Sequence, residues 1–195
     1  AVEDADITLQ LKNCFDLLYK DIQNEKLLNE VEFPLIKVLS KMETEGFNLD
    51  SKFLGQMETD LNKGIKELEK IIFENAGESF NLSSPKQLGV VLFEKLKLVE
   101  KPKKTKTGQY STSEEVLSLL AKKHKIIDDI LNWRSLNKLQ TTYVKALPEE
   151  INPKTKRIHT VFNQAVASTG RLTSNKPNLQ NIPIRSEDGQ RIRKG

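Results

Sequence analysis

Residues 50–77, DSKFLGQMETDLNKGIKELEKIIFENAG, decide the fold. Leu54, Met57, Leu61, Ile65, Leu68 and Ile72 recur at three- and four-residue intervals, which puts them on one face of a single long helix. The near-heptad spacing predicts a partner helix packed along that face. Asp50 stands where an N-cap accepts the free N–H groups of a first turn, and Gly77 where a C-cap glycine ends the last one. Gly64 costs about 1 kcal/mol relative to alanine inside such a helix, too little to break it.

The pattern extends on both sides. Upstream, residues 3–30 read as a helix with Ile7, Leu11, Phe15, Leu18 and Ile22 on one stripe, and residues 33–45 as a second that carries Leu35, Ile36, Val38, Leu39 and Met42 and stops at Gly46. Downstream, Ser84-Pro85-Lys86-Gln87 predicts a helix start, with Ser84 as cap, Pro85 in the first helical position and Gln87 completing a capping box. That helix is expected to run to about residue 97. The lysine-rich stretch 99–111, VEKPKKTKTGQYS, reads as a loop that is disordered on its own. Thr112-Ser113-Glu114-Glu115 predicts a second capping box and a helix to about residue 122. A long helix over about 124–146 follows, with Ile126, Ile130, Trp133, Leu136, Leu139, Tyr143 and Leu147 inward. Beyond Pro148 the helical period is lost. Asn152-Pro153-Lys154-Thr155 is turn chemistry, and Arg157 to Ala167 is β-rich enough for a strand or hairpin. Residues 186–195, SEDGQRIRKG, are expected to bury nothing. The expected class is mainly α, with long antiparallel helices and a small β-hairpin near the C-terminus.

Composition narrows the function. No apolar run approaches the roughly 20 residues of a membrane span, and residues 1–10 have no apolar signal-peptide core. Cys14 is the only cysteine, so an internal disulfide is excluded and a reducing, cytoplasmic setting is expected. The net charge of +4 is unevenly spread: residues 1–85 hold 9 Lys/Arg against 17 Asp/Glu, and residues 86–195 hold 22 against 10. A basic second part suits a polyanion.

The chemistry concentrates in residues 168–185, STGRLTSNKPNLQNIPIR. Arg171, Lys176, Asn178, Gln180, Asn181 and Arg185 bring donors without a carboxylate among them, and Pro177 and Pro183 hold the backbone extended. The DNA minor groove offers an acceptor, purine N3 or pyrimidine O2, at nearly the same place for every base pair. Donors aimed at those acceptors bind any sequence and sense a mispair. On the long helix, Arg134 and Lys138 are one turn apart, with Lys145 further on, a row that can follow phosphates. The loop lysines Lys103, Lys104 and Lys106 and the helix N-termini at Ser84 and Thr112 add anion-binding character. His124 and His159 are too isolated to bind a metal, and Trp133 belongs to the core face.

NLSSPKQL (81–88), STSEEVL (111–117), the run Arg134 to Tyr143, INPKT (151–155), IHT (158–160), FNQAVASTGRLTS (162–174) and PNLQNIP (177–183) together resemble the family A DNA polymerases, the bacterial DNA polymerase I group. The resemblance spans essentially the whole chain. Ser168 and Thr173 stand where Thr and Ser are expected, and Gln140 where lysine is common. The resemblance implies three parts: residues 1–49 as the last helices of an exonuclease-like domain, 50–147 as an elongated helical thumb, and 148–195 as the start of a palm. It implies that Arg171 contacts the primer-terminal base pair, that Asn178, Gln180 and Asn181 contact nearby bases or sugars, and that Arg134 and Lys138 contact the backbone or groove edge. Asn81, Ser84 and Lys86 would touch phosphates; by charge alone the loop with Lys103, Lys104 and Lys106 can wrap phosphates, and Arg185 joins the DNA-binding donors.

The implied protein is a DNA-directed DNA polymerase of replication and repair, a monomer that uses Mg²⁺, primer–template DNA and deoxynucleotides. The resemblance places the catalytic aspartates beyond Gly195, so residues 1–195 are expected to hold no catalytic group and to be inactive alone. EDADITLQL (3–11) resembles the end of the proofreading domain, with Asp4 a single orphaned metal ligand. Two rival readings are a stand-alone, non-catalytic duplex-DNA-binding module and a helical protein-interaction domain that docks a partner through Lys101–Lys106.

Overall fold

Helices α1 (Val2–Ile22), α2 (Glu25–Leu27), α3 (Phe33–Glu45), α4 (Ser51–Ala76), α5 (Pro85–Val90), α6 (Glu114–Ala121), α7 (Lys125–Leu139), α8 (Ala146–Glu149) and α9 (Glu187–Ile192) make the chain mainly α, with strands β1 (Val161–Asn163) and β2 (Thr173–Asn175) as a small addition. The computed structural model describes residues 2–22 and 25–195. Contacts group the chain into two units: Ala1–Leu49 with Glu150–Asn181, and Asp50–Glu149 with Ile182–Gly195.

The larger unit is built on α4. Asp50 Oδ1 accepts from the Lys52 and Phe53 N–H groups, both at 3.0 Å, and Gly77 ends the helix at φ 73°, as the sequence predicts. Leu54, Met57, Leu61, Ile65 and Ile72 are buried and Leu68 half-buried, so the stripe is the inward face. Its partner is α7. As α7 ascends, the matching residues of α4 descend: Trp133 Nε1 donates to Glu69 Oε1, Gln140 Nε2 to Asn62 Oδ1, and Lys145 pairs with Glu58. The two helices therefore run antiparallel. α6, α5 and the turn after it close the core around Leu88, Leu92, Phe93, Leu117, Ile127, Ile130 and Trp133.

Local details depart from expectation in four places. The predicted helices over 84–97 and 124–146 change gauge, since π-helical turns at Val91–Lys95 and Gln140–Lys145 continue α5 and α7. Ser113, not Thr112, caps α6: its Oγ accepts from Val116 N–H, whereas Thr112 is buried. At α5, Ser84 caps as predicted, but Gln87 Oε1 accepts from Asn81 N–H, so the capping box is not reciprocal. Residues 186–195 are not idle. Ser186 Oγ accepts from Gly189 N–H to open α9, Ile192 is buried, and Arg191 reaches Asp60 of α4 at 2.8 Å.

The smaller unit joins α3 to a hairpin. Antiparallel β1 and β2 pair Val161 with Asn175, Phe162 with Ser174 and Asn163 with Thr173. The hairpin is bound to α3 by polar contacts: Glu43 Oε1 accepts from Phe162 N–H at 2.7 Å, and His159 Nδ1 lies 2.7 Å from the Glu43 carbonyl. Gly46 ends α3 at φ 71°, where a Cβ would meet the Ile158 carbonyl at 2.9 Å, so glycine alone suits the site. On α1, Ile7, Leu11, Phe15 and Leu18 are exposed. The Ile22 side chain and the stretch of the predicted 3–30 helix at residues 23–24 lie outside the described residues.

Candidate nucleic-acid interface

The donor-rich segment divides between the units. In the smaller unit, Arg171, Asn178, Gln180 and Asn181 are all exposed. Arg171 makes no hydrogen bond or ion pair among the described residues, and it follows Gly170, whose φ of 72° turns the chain. Asn178 Oδ1 accepts from Gln180 N–H at 3.1 Å, an Asx turn that uses the amide oxygen. The Lys176–Pro177 peptide is cis.

In the larger unit, Arg185 is also exposed. The stretch before it is held by Arg193 Nη2, which donates to the Ile182 carbonyl at 2.8 Å, and by Gln190 Nε2, which donates to the Ile184 carbonyl at 3.1 Å.

A cleft of about 610 Å³ in the larger unit brings Arg134, Asn137 and Lys138 on α7 together with Thr141 on the π-helical turn that continues it, Ser83 and Pro85 at the start of α5, and Gln109 to Ser113. Arg134 is not a free cation in it. Its Nη1 donates to the Thr112 carbonyl at 2.5 Å and Nη2 to the Thr112 hydroxyl at 3.3 Å. Desolvation lowers its pKa from the usual guanidinium value, and the charge of Glu114 opposes that. Lys138, by contrast, is exposed and makes no ion pair among the described residues. Asn137 is a cleft residue the sequence reading missed, although its place one turn from Arg134 and Thr141 was a usable signal.

The remaining predicted residues sit elsewhere. Ser84 and Lys86 line a second groove of about 400 Å³, with Phe80, Gln87 and a Glu78–Lys95 ion pair. Asn81 is exposed and occupied locally: its Oδ1 accepts from Ser83 N–H at 2.9 Å. Lys103, Lys104 and Lys106 are exposed on a turn that is more ordered than the sequence suggests. Lys104 and Tyr110 form an antiparallel bridge, Thr105 N–H donates to the Gln109 carbonyl at 2.7 Å, and Lys104 Nζ stands 5.1 Å from the centre of the Tyr110 ring. Burial, with Glu94 beside it, raises the Tyr110 pKa.

Among the described residues, no three His, Cys, Asp or Glu side chains group as a metal set, so they offer no ligand set for Mg²⁺. Cys14 is exposed, and His159 bridges the Glu43 carbonyl and the Thr155 hydroxyl. Among the described residues, no helix is long and apolar enough to cross a membrane.

Against known proteins, residues 51–195 match the model of "DNA polymerase family A". DNA polymerase I of Geobacillus stearothermophilus is 51% identical over 171 residues, which are 88% of this chain and 19% of that protein. DNA polymerase I of Pseudomonas aeruginosa is 46% identical over 195 residues, 99% of this chain and 21% of that protein. The chain spans about a fifth of the length of these curated relatives. A solved structure, the POL domain of Pol1 from M. smegmatis in complex with DNA primer-template and dNTP, aligns with a TM-score of 0.81 at 40% identity, over 95% of this chain and 32% of that one.

Proposed function

Because this chain belongs to DNA polymerase family A, we propose that residues 1–195 grip primer–template duplex for template-directed DNA synthesis. The proposed division is residues 1–49 as the end of an exonuclease-like domain, 50–147 as a thumb, and 148–195 as the start of a palm. Phosphates would be held by Lys138 and the cleft around it, with Lys86, Lys103, Lys104, Lys106 and Arg185 as further cations. Arg171, Asn178, Gln180 and Asn181 would read the minor groove through acceptors that every base pair shares. Residues 1–195 contribute no catalytic group in this reading. The Mg²⁺ and deoxynucleotide chemistry of the whole protein would belong to carboxylates outside this stretch.

The observation that carries the reading is the exposed donor set Arg171, Asn178, Gln180 and Asn181, with the Asn178 oxygen engaged by Gln180 N–H. Affinity should come mainly from phosphates, so it should fall steeply with salt and depend little on sequence. Fluorescence anisotropy of a labelled primer–template at two salt concentrations, with wild type and Arg171→Ala, tests it. Salt-sensitive binding that Arg171→Ala weakens supports the reading. Absence of binding at low salt refutes it, and binding that needs Lys101–Lys106 but ignores Arg171 favours the protein-interaction alternative.

A further inference from the structure

Thr160 and Ser174 are buried almost completely, at 1% and 0% exposure, although both are polar. Their hydroxyl oxygens lie 2.7 Å apart across the β1–β2 hairpin. Thr160 Oγ1 is also 2.9 Å from the Asn175 carbonyl and 2.7 Å from the Pro177 carbonyl, and Ser174 Oγ is 3.1 Å from the latter. Ser174 Oγ accepts from Leu179 N–H at 3.2 Å. Each hydroxyl has one proton to give, and an arrangement that the contacts allow is Leu179 N–H to Ser174 Oγ, Ser174 O–H to Thr160 Oγ1, and Thr160 O–H to the Pro177 carbonyl. This relay ties both ends of the turn 174–179 to the buried side of the hairpin.

Asn178, Gln180 and Asn181 leave that turn directly. Lys176, inside it, has φ 54°, a conformation rare for a residue with a side chain, so the turn is held by its surroundings more than by its own preference. We infer that Thr160 and Ser174 are positioning residues: their hydroxyl relay fixes the backbone that aims the Asn178–Asn181 donors at a nucleic acid. The inference rests on the minor-groove reading of that segment. Chained hydroxyls reinforce one another away from water, and removal of the Thr160 hydroxyl takes away the contact that joins Ser174 Oγ to the Asn175 and Pro177 carbonyls, so a small deletion loosens the turn.

The test compares wild type, Thr160→Val and Thr160→Ser in the 195-residue chain. Valine keeps the shape and removes the hydroxyl, whereas serine keeps the hydroxyl. Primer–template affinity is read by anisotropy, and hydrogen exchange of the Leu179 and Gln180 amides by NMR. Thr160→Val should bind about tenfold more weakly, the equivalent of one hydrogen bond, with faster Leu179 exchange, and Thr160→Ser should restore both. A folded Thr160→Val protein with wild-type affinity and exchange overturns the inference, as does equal loss in the valine and serine variants. If Thr160→Val loses helical circular dichroism, Ser174→Ala, which removes the acceptor of Leu179 N–H, decides by the same criteria. A wild-type chain that does not bind duplex overturns the minor-groove reading instead, and the exchange rates then decide the relay alone.

Discussion

Arg134 Nη1 donates to the backbone carbonyl of Thr112 at 2.5 Å, and Nη2 to its hydroxyl at 3.3 Å. An arginine that the sequence places in a phosphate-tracking row is thus also a clasp between α7 and the residues that lead into α6. The fork of the guanidinium matches two acceptors on one residue, which an ammonium does not. Arg134→Ala should lower stability by about 1.5–3 kcal/mol, the range for a hydrogen bond to a charged group, and Arg134→Lys should recover little of it. Urea unfolding followed by the fluorescence of Trp133, the only tryptophan, measures this. Unchanged midpoints would mean that the clasp contributes nothing.

Lys138, one turn further, should behave in the opposite way. It is exposed and unpaired among the described residues. Lys138→Ala should leave stability within about 0.5 kcal/mol, as surface substitutions do. It should weaken duplex binding evenly across sequences and reduce the slope of log affinity against log salt by about 1. Arg134→Ala should change that slope less. Titration of both variants at several salt concentrations separates a phosphate ligand from a clasp, and equal slopes for the two would refute the distinction.

What could be read from the sequence follows the range of the interactions involved. α4 was legible because its stripe, its Asp50 cap and its Gly77 stop are local, and the antiparallel α7 because its apolar face has the same period. The choice of cap at α6 was not. Thr112 and Ser113 are equivalent as capping residues in sequence, and Arg134, 22 positions away, helps to hold Thr112 inward. The turn around Lys104 read as a loop disordered on its own because its pairing with Tyr110 and the packing of Tyr110 Cβ 2.8 Å from the place of a Gly89 Cβ are tertiary. α9 was not read from the sequence, because the polar composition of residues 186–195 concealed that Ile192 is buried. The exposed donors of the candidate site were plain from composition. The Thr160–Ser174 pair beneath them joins residues 14 apart and has no signature in either segment alone.

Gly189 gives a substitution whose sign opposes helix propensity. Alanine inside a helix is worth about 1 kcal/mol over glycine, which alone would make Gly189→Ala stabilising. A Cβ there would lie 2.6 Å from the Pro183 carbonyl oxygen and 2.7 Å from Pro183 Cβ, and backbone cannot move aside cheaply. The substitution should therefore destabilise by about 1–3 kcal/mol, as overpacking does. A raised melting temperature for Gly189→Ala would show that α9 can shift freely away from Pro183.

Lys125 gives a pH dependence. Its ammonium is 3.0 Å from Asp129 Oδ1 and 3.4 Å from Asp128 Oδ2, and the Asp129 side chain is only 5% exposed. The hydrogen bond to Asp129, its charge and the hydrogen bond to Asp128 raise the Lys125 pKa, and desolvation opposes them. Because the folded value lies above the unfolded one, the stabilisation is complete below the unfolded lysine pKa of about 10.4 and is lost as pH rises through the folded value. The quantity to read is the difference between wild type and Lys125→Met. The urea midpoints of the two should differ by a constant amount from pH 7 to about pH 10 and converge above it. Midpoints that stay parallel through that range would mean that Lys125 carries no pH-linked stability.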